Sequence, residues 1–194
     1  MENFILNFKK YCNDKKWKWD NYTSEFTFQF RISRFLDSHY NNIEIELESS
    51  VFRYNISKLI KKEIDIDIEL NNTKYAIELK YIRDKGSFNI GMFKYCEDIK
   101  FIEQLMENKI IEKGYAILFT TIPEVYSKPN KQLNPKNIEN LKLYRAFREL
   151  YEVNGNLSIK TGKLNESLYL KGKYKLNWLD FIDNIKVCFI EITN

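Results

Sequence analysis

A chain of 194 residues can bury one full core but not two generous ones, so residues 1–194 are expected to form a single domain. Apolar side chains make up 44% and aromatic ones 15%, which excludes a disordered chain, and no stretch approaches the ~18 apolar residues of a membrane helix. Charged residues reach 30% with a net charge of only +4, a mildly basic balance compatible with nucleic acid.

Phe4, Ile5, Phe8 and Tyr11 recur at helical spacing and predict a short amphipathic helix. Lysines follow, Lys16 and Lys18 among them, interleaved with Trp17 and Trp19. This segment fits two roles: a grip on a phosphate backbone with a ring to stack on a base, or a solvated lysine face over buried tryptophans. Residues 22–40 carry both periods, since Phe26, Phe28 and Phe30 alternate while Phe28, Ile32, Phe35 and Leu36 repeat helically. The capping candidates Asn21, Thr23 and Ser24 favour a helix starting near Thr23, with Glu25 in its first turn and Gln29 one turn on. His39, the single histidine, falls at the end of that helix, where a cation is mildly favourable. Ile43, Ile45 and Leu47 alternate with Glu44, Glu46 and Glu48 as a strand whose acidic side is a charged solvent face, or, at Glu48, a further metal ligand. Lys58, Lys61 and Lys62 then lead into the next element, placed to offset phosphate charge.

From 63 to 82 the alternation is strongest. Ile64, Ile66, Ile68 and Leu70 interleave with Asp65, Asp67 and Glu69; after Asn71-Asn72, Tyr75, Ile77 and Leu79 interleave with Ala76, Glu78 and Lys80. This is a period of two, and Asn accepts positive φ, so the pair forms the two-residue turn of a hairpin. With Leu70 opposite Thr73, Asp65 falls opposite Glu78, and like charges so placed are destabilising unless offset. A divalent cation would offset them. Lys80 shares Glu78's face, so two carboxylates and an ammonium converge as metal-assisted phosphodiester hydrolysis requires. A four-residue turn would put Asp67, the rival ligand, opposite Glu78 instead.

Arg83 to Ser87 reads as a turn, and Met92 to Asn108 as a helix whose stripe is Tyr95, Ile99, Ile102, Leu105 and Met106. Lys94, Asp98 and Lys100 are expected on or near its exposed side. Tyr115 to Thr121 is apolar on both faces, as parallel strands tend to be, and completes a βαβ unit. Pro123 to Pro135 is a polar loop, Ile138 to Tyr151 a helix, and the remainder short strands and turns packed on the core. Cys12, Cys96 and Cys188 are odd in number and far apart, which indicates neither a disulfide framework nor a zinc site and suits a reducing cytoplasm. The N-terminal apolar run is too short for a signal peptide. No Gly-rich phosphate loop and no serine-nucleophile elbow occurs.

Asp65, then Glu78-Leu79-Lys80 preceded by Ile77, resembles the PD-(D/E)XK nuclease motif, with Ile64 standing where the proline would be. The resemblance implies an α/β restriction-endonuclease-like core in the order αβββαβ, with a mixed sheet flanked by helices, followed by a C-terminal helix and short strands. The helix at 23–40 would be its first core helix, whose acidic residue near the metal would be Glu25. It also implies a Mg²⁺-dependent DNA endonuclease of restriction or phage-defence type, with Mn²⁺ able to substitute and a homodimer cutting both strands. Asp65, Glu78 and the Leu79 carbonyl would hold the metal, Lys80 would act on the attacking water, and Lys16, Lys18, Lys61, Lys62 and Lys94 would meet the nucleic acid. The alternatives are an inactive nucleic-acid-binding protein of that fold, a repair or mobile-element nuclease, or a hairpin that is only a charged sheet edge.

Overall fold

The computed structural model describes residues 2–19, 23–54, 56, 58–128 and 140–193, and of Glu2 and Asn3 only the backbone. Asn21, Asn130, Asn134, Pro135 and the first residues of the helix expected from Ile138 lie outside the described residues. The chain is α/β, with a mixed sheet of six strands flanked by helices.

Two helices come first, α1 (Glu2–Asp14) and α2 (Glu25–His39). The helical period wins between 22 and 40. Phe28, Ile32, Phe35 and Leu36 are buried, while Phe26 and Phe30 face outward. Ser24 is the cap: its Oγ accepts from Thr27 N at 3.2 Å and Thr27 Oγ1 accepts from Ser24 N at 3.2 Å. His39 is the last helical residue, and its Nδ1 lies 2.9 Å from the Phe35 carbonyl.

Three antiparallel strands follow: β1 (Ile43–Ser50), β2 (Glu63–Leu70) and β3 (Thr73–Ile82). A single turn of 3-10 helix, Val51–Tyr54, follows β1. Asn71 and Asn72 have φ of 52° and 60°, the left-handed pair of a type I′ turn, and Leu70 pairs with Thr73. Helix α3 (Phe88–Glu107) then crosses to β4 (Lys113–Thr120), parallel to β3. After the short α4 (Pro123–Tyr126) come α5 (Leu141–Arg145) and one π-helical turn, Ala146–Leu150, closed by Tyr151 at φ 50°.

The C-terminal strands differ from the short packed pieces expected. β5 (Glu152–Thr161) and β6 (Leu164–Lys175) form a long, separate hairpin, and β7 (Trp178–Asp180) and β8 (Lys186–Ile192) join the main sheet. Its order is β1-β2-β3-β4-β8-β7, so β2 and β3 are interior strands and the charged-edge reading of their hairpin falls. Covering both sheet faces gives two cores. One lies under α1 and α2, with Phe8, Phe28, Phe35, Ile66 and Leu79; the other lies under α3 and the β5–β6 hairpin, with Phe93, Ile99, Phe101, Leu157 and Leu170. Among the described residues no helix is long and apolar enough to cross a membrane.

Candidate active site

The regular β2–β3 ladder stops at Ile66 opposite Ile77, one pair short of Asp65 and Glu78. The β1–β2 ladder also skips Asp65: Leu47 pairs with Ile66 and Ser49 with Ile64, and Glu48 between them has φ 51°. β2 therefore bends at Asp65. The bend corrects the simple alternation, because Ile64 enters the α3 core whereas Ile66 and Ile68 enter the α1–α2 core. Asp65 is also buried, not on a solvent face.

Side chains take over where the ladder ends. Asp65 N donates to Glu78 Oε1 at 3.2 Å, and Leu79 N donates to Asp65 Oδ2 at 2.7 Å. These two bonds use one oxygen of each carboxylate and turn the other pair, Asp65 Oδ1 and Glu78 Oε2, toward one cation, the Lys61 ammonium. Lys61 Nζ is 3.7 Å from Asp65 Oδ1 and in direct contact with Glu78 Oε2. It also donates to Asp98 Oδ1 at 3.1 Å. Lys61 thus lies inside the cluster, not on the surface beside it as expected.

Lys80 and Glu25 complete the group. Lys80 Nζ donates to Glu25 Oε1 at 2.9 Å, and Tyr81 N donates to Glu25 Oε2 at 2.8 Å. Glu25 therefore does more than cap the dipole of α2: it ties the helix start to β3 and holds the lysine. Asp67, the rival, sits opposite Ala76 and is taken by Arg53 and by Ser49 Oγ at 3.0 Å, so the two-residue turn assigns Asp65 to Glu78. Glu48 accepts from Gln29 Nε2.

Asp98 is the residue the periodicity misplaced. It is 3% exposed, because the stripe side of α3 that carries it packs toward the sheet and turns it to Lys61. A signal was present: Asp98 stands three residues after Tyr95 and four before Ile102, on the apolar stripe itself. Lys100 is also largely covered, paired with Glu103 at 3.0 Å.

Burial pushes the Asp65 carboxyl up to about 6, with Lys61 opposing. Burial, then the Asp65 charge, raises Glu78 well above the ordinary range, and burial raises Asp98 despite Lys61 and Lys80. Burial draws both ammoniums down but is outweighed, by Glu78, Asp98 and Asp65 at Lys61 and by Asp98 and Glu25 at Lys80, so both end raised. The ion pairs themselves set four carboxylates, Asp65, Glu78, Asp98 and Glu25, against two lysines, Lys61 and Lys80.

Among the described residues, no group of three or more His, Cys, Asp or Glu side chains is gathered as a ready metal site. Asp65 and Asp98 oxygens stand 3.7 and 3.1 Å from Lys61 Nζ, whereas Mg²⁺ draws oxygens to roughly 2.1 Å. The chemistry of the donors nevertheless suits a hard cation, being oxygen throughout, and Asp98 Oδ2 is buried without a hydrogen-bond partner.

The other lysines expected to meet nucleic acid are spread out. Lys16 and Lys18 are exposed. The Arg31 guanidinium lies 5.1 and 4.1 Å from the Trp17 and Trp19 ring centres, taking ring faces a base would stack on. Lys62 is exposed, 5.9 Å from the Phe52 ring centre, and Lys94 pairs with Glu97 at 2.7 Å and Glu166 at 3.5 Å. Comparisons of the chain with protein-family models, with curated proteins and with solved structures find no match.

Proposed function

We propose that this chain is a Mg²⁺-dependent endonuclease that hydrolyses phosphodiester bonds of DNA, built on a restriction-endonuclease-like core. One observation carries the reading. Past the end of the β2–β3 ladder, Asp65 and Glu78 turn one oxygen each to the same point, with Lys80 two residues along β3 and steadied by Glu25. The order α2, β1, β2, β3, α3, β4 supports it, since this is the αβββαβ sequence of elements the motif implies.

Asp65, Glu78 and the Leu79 carbonyl would hold the cation, Mg²⁺ or Mn²⁺. Bound there, the metal would polarise a phosphoryl oxygen and lower the pKa of a water. Lys80 stays charged, orients the attacking water and offsets negative charge developing on the phosphate. Glu25 fixes that ammonium by an ion pair and fixes β3 beside it through Tyr81 N. The exposed Lys16, Lys18 and Lys62, with Lys94, would add contacts to the phosphate backbone that position the duplex without reading its sequence. Restriction or phage defence is the role proposed for such a small enzyme.

Plasmid incubated with protein and Mg²⁺ tests this directly. The wild type is expected to nick or linearise the DNA, and Lys80→Ala or Glu78→Gln to lose at least ~10²-fold in rate. Cleavage that survives both chelation of the metal and these substitutions overturns the proposal; DNA retention without any cleavage would favour a non-catalytic binding protein instead.

A further inference from the structure

Around the Lys61 ammonium the chain buries more negative charge than that ammonium balances. Glu78, Asp98 and Asp65 each turn an oxygen toward Nζ, and the neighbouring lysine, Lys80, is engaged by Glu25. Glu78 is 0% exposed and Asp98 3%, so water does little to compensate. Asp98 Oδ2 is buried with no hydrogen-bond partner, an acceptor left open in a place where open acceptors are costly.

The four groups differ in how firmly they are held. Asp65 and Glu78 are pinned on interior strands, each by a backbone N–H, and Asp98 is fixed on α3. Lys61 comes from the irregular segment before β2, and its side chain is 28% exposed. It is the member that can leave toward solvent without disturbing the sheet. A divalent cation supplies twice its charge and binds oxygen more closely.

We propose that Lys61 is a resident counter-ion which a divalent cation displaces, and that Asp98 is a third carboxylate for that cation. The inference rests on the reading of Asp65 and Glu78 as metal ligands. The metal then binds against a built-in competitor, which lowers its affinity and sets a threshold concentration. The released ammonium has only the solvent side to occupy, the side from which a phosphate would approach. Metal binding would in this way also present a cation to the substrate.

Two measurements without DNA test it. In calorimetric titrations with Mg²⁺, Lys61→Met is expected to bind about tenfold tighter than the wild type and Asp98→Asn about tenfold weaker. In the wild type, reductive methylation followed by peptide mass spectrometry is expected to label Lys61 several-fold faster when Mg²⁺ is present. This second measurement decides alone if Lys61→Met does not fold. Suppose Mg²⁺ binds the wild type and Asp65→Asn abolishes binding. Unchanged Lys61 labelling, or Lys61→Met binding no tighter, then overturns the counter-ion while the metal site stands. Wild-type affinity in Asp98→Asn removes the third ligand. Failure of every variant and of the wild type to bind Mg²⁺ overturns both this inference and the metal reading beneath it.

Discussion

Asp98 and Glu103 lie on the same helix, α3, are 3% and 5% exposed, and are in opposite electrostatic states. Glu103 accepts from Gly172 N at 2.8 Å, Lys171 N at 3.2 Å, Tyr174 Oη at 2.9 Å and Lys100 Nζ at 3.0 Å. Burial pushes its carboxyl up, but these donors outweigh burial and leave it below the ordinary range. Asp98 shares one lysine with two other carboxylates, keeps an oxygen without a partner, and is raised. The first is a clasp: it pins β6 to α3, and every lone pair it buries is used. The second belongs to a group whose charge balance is incomplete among the described residues. Buried carboxylates therefore divide by what satisfies them, and the unsatisfied set is the one that coincides with the motif.

That contrast can be broken most sharply by truncation. Glu103→Ala leaves four donors without their acceptor and is expected to cost about 3–5 kcal/mol, whereas Asp98→Asn, which relieves repulsion as it loses an ion pair, should cost about 1 kcal/mol or less. Urea melts in metal-free buffer compare them, and equal losses would erase the distinction.

The pH dependence sharpens it, because the two signs are opposite. Glu103 has a folded pKa below the ordinary 4.5, so its stabilisation is present above that value and is lost as pH falls through the folded pKa. Asp65 has a folded pKa of about 6 against an ordinary 3.8, so its contribution is present below 3.8 and lost as pH rises through about 6. Between about pH 4 and pH 7, Asp65→Asn is expected to gain up to about 3 kcal/mol on the wild type. Glu103→Gln should instead close its deficit only in acid. Melting curves across that range check both, and parallel wild-type and Asp65→Asn profiles would contradict the raised pKa.

Within the Glu103 clasp the smallest expected effect is at Tyr174. Its hydroxyl is one of four donors to Glu103, so Tyr174→Phe should cost about 1 kcal/mol in the same melts, with no change in metal binding. A loss as large as that of Glu103→Ala would mean that the tyrosine, and not the carboxylate, organises the clasp.

What could be read from residue order was local. A period of two around Asn71-Asn72 specifies a hairpin, its turn and its register, because Asn tolerates positive φ and side chains alternate along strands. Asp65, Glu78 and Lys80 follow from that register, as α2 follows from its helical stripe and the Ser24 cap. The bend at Asp65, which sends Ile64 to the other core, was not legible, since it arises where two ladders are interrupted together.

Lys61 and Asp98 show what sequence order leaves undetermined. Each looks like a surface charge in its own segment, and their meeting depends on the loop before β2 and on α3 being brought against the end of β3. Likewise, Glu103 on the outer side of α3 is buried by the β5–β6 hairpin, more than forty positions further along the chain, folding back over it. Local pattern thus determined which strands pair and which carboxylates meet across the turn. Only the tertiary packing decided how much charge is buried around them, because burial comes from distant segments whose closure no short-range periodicity encodes.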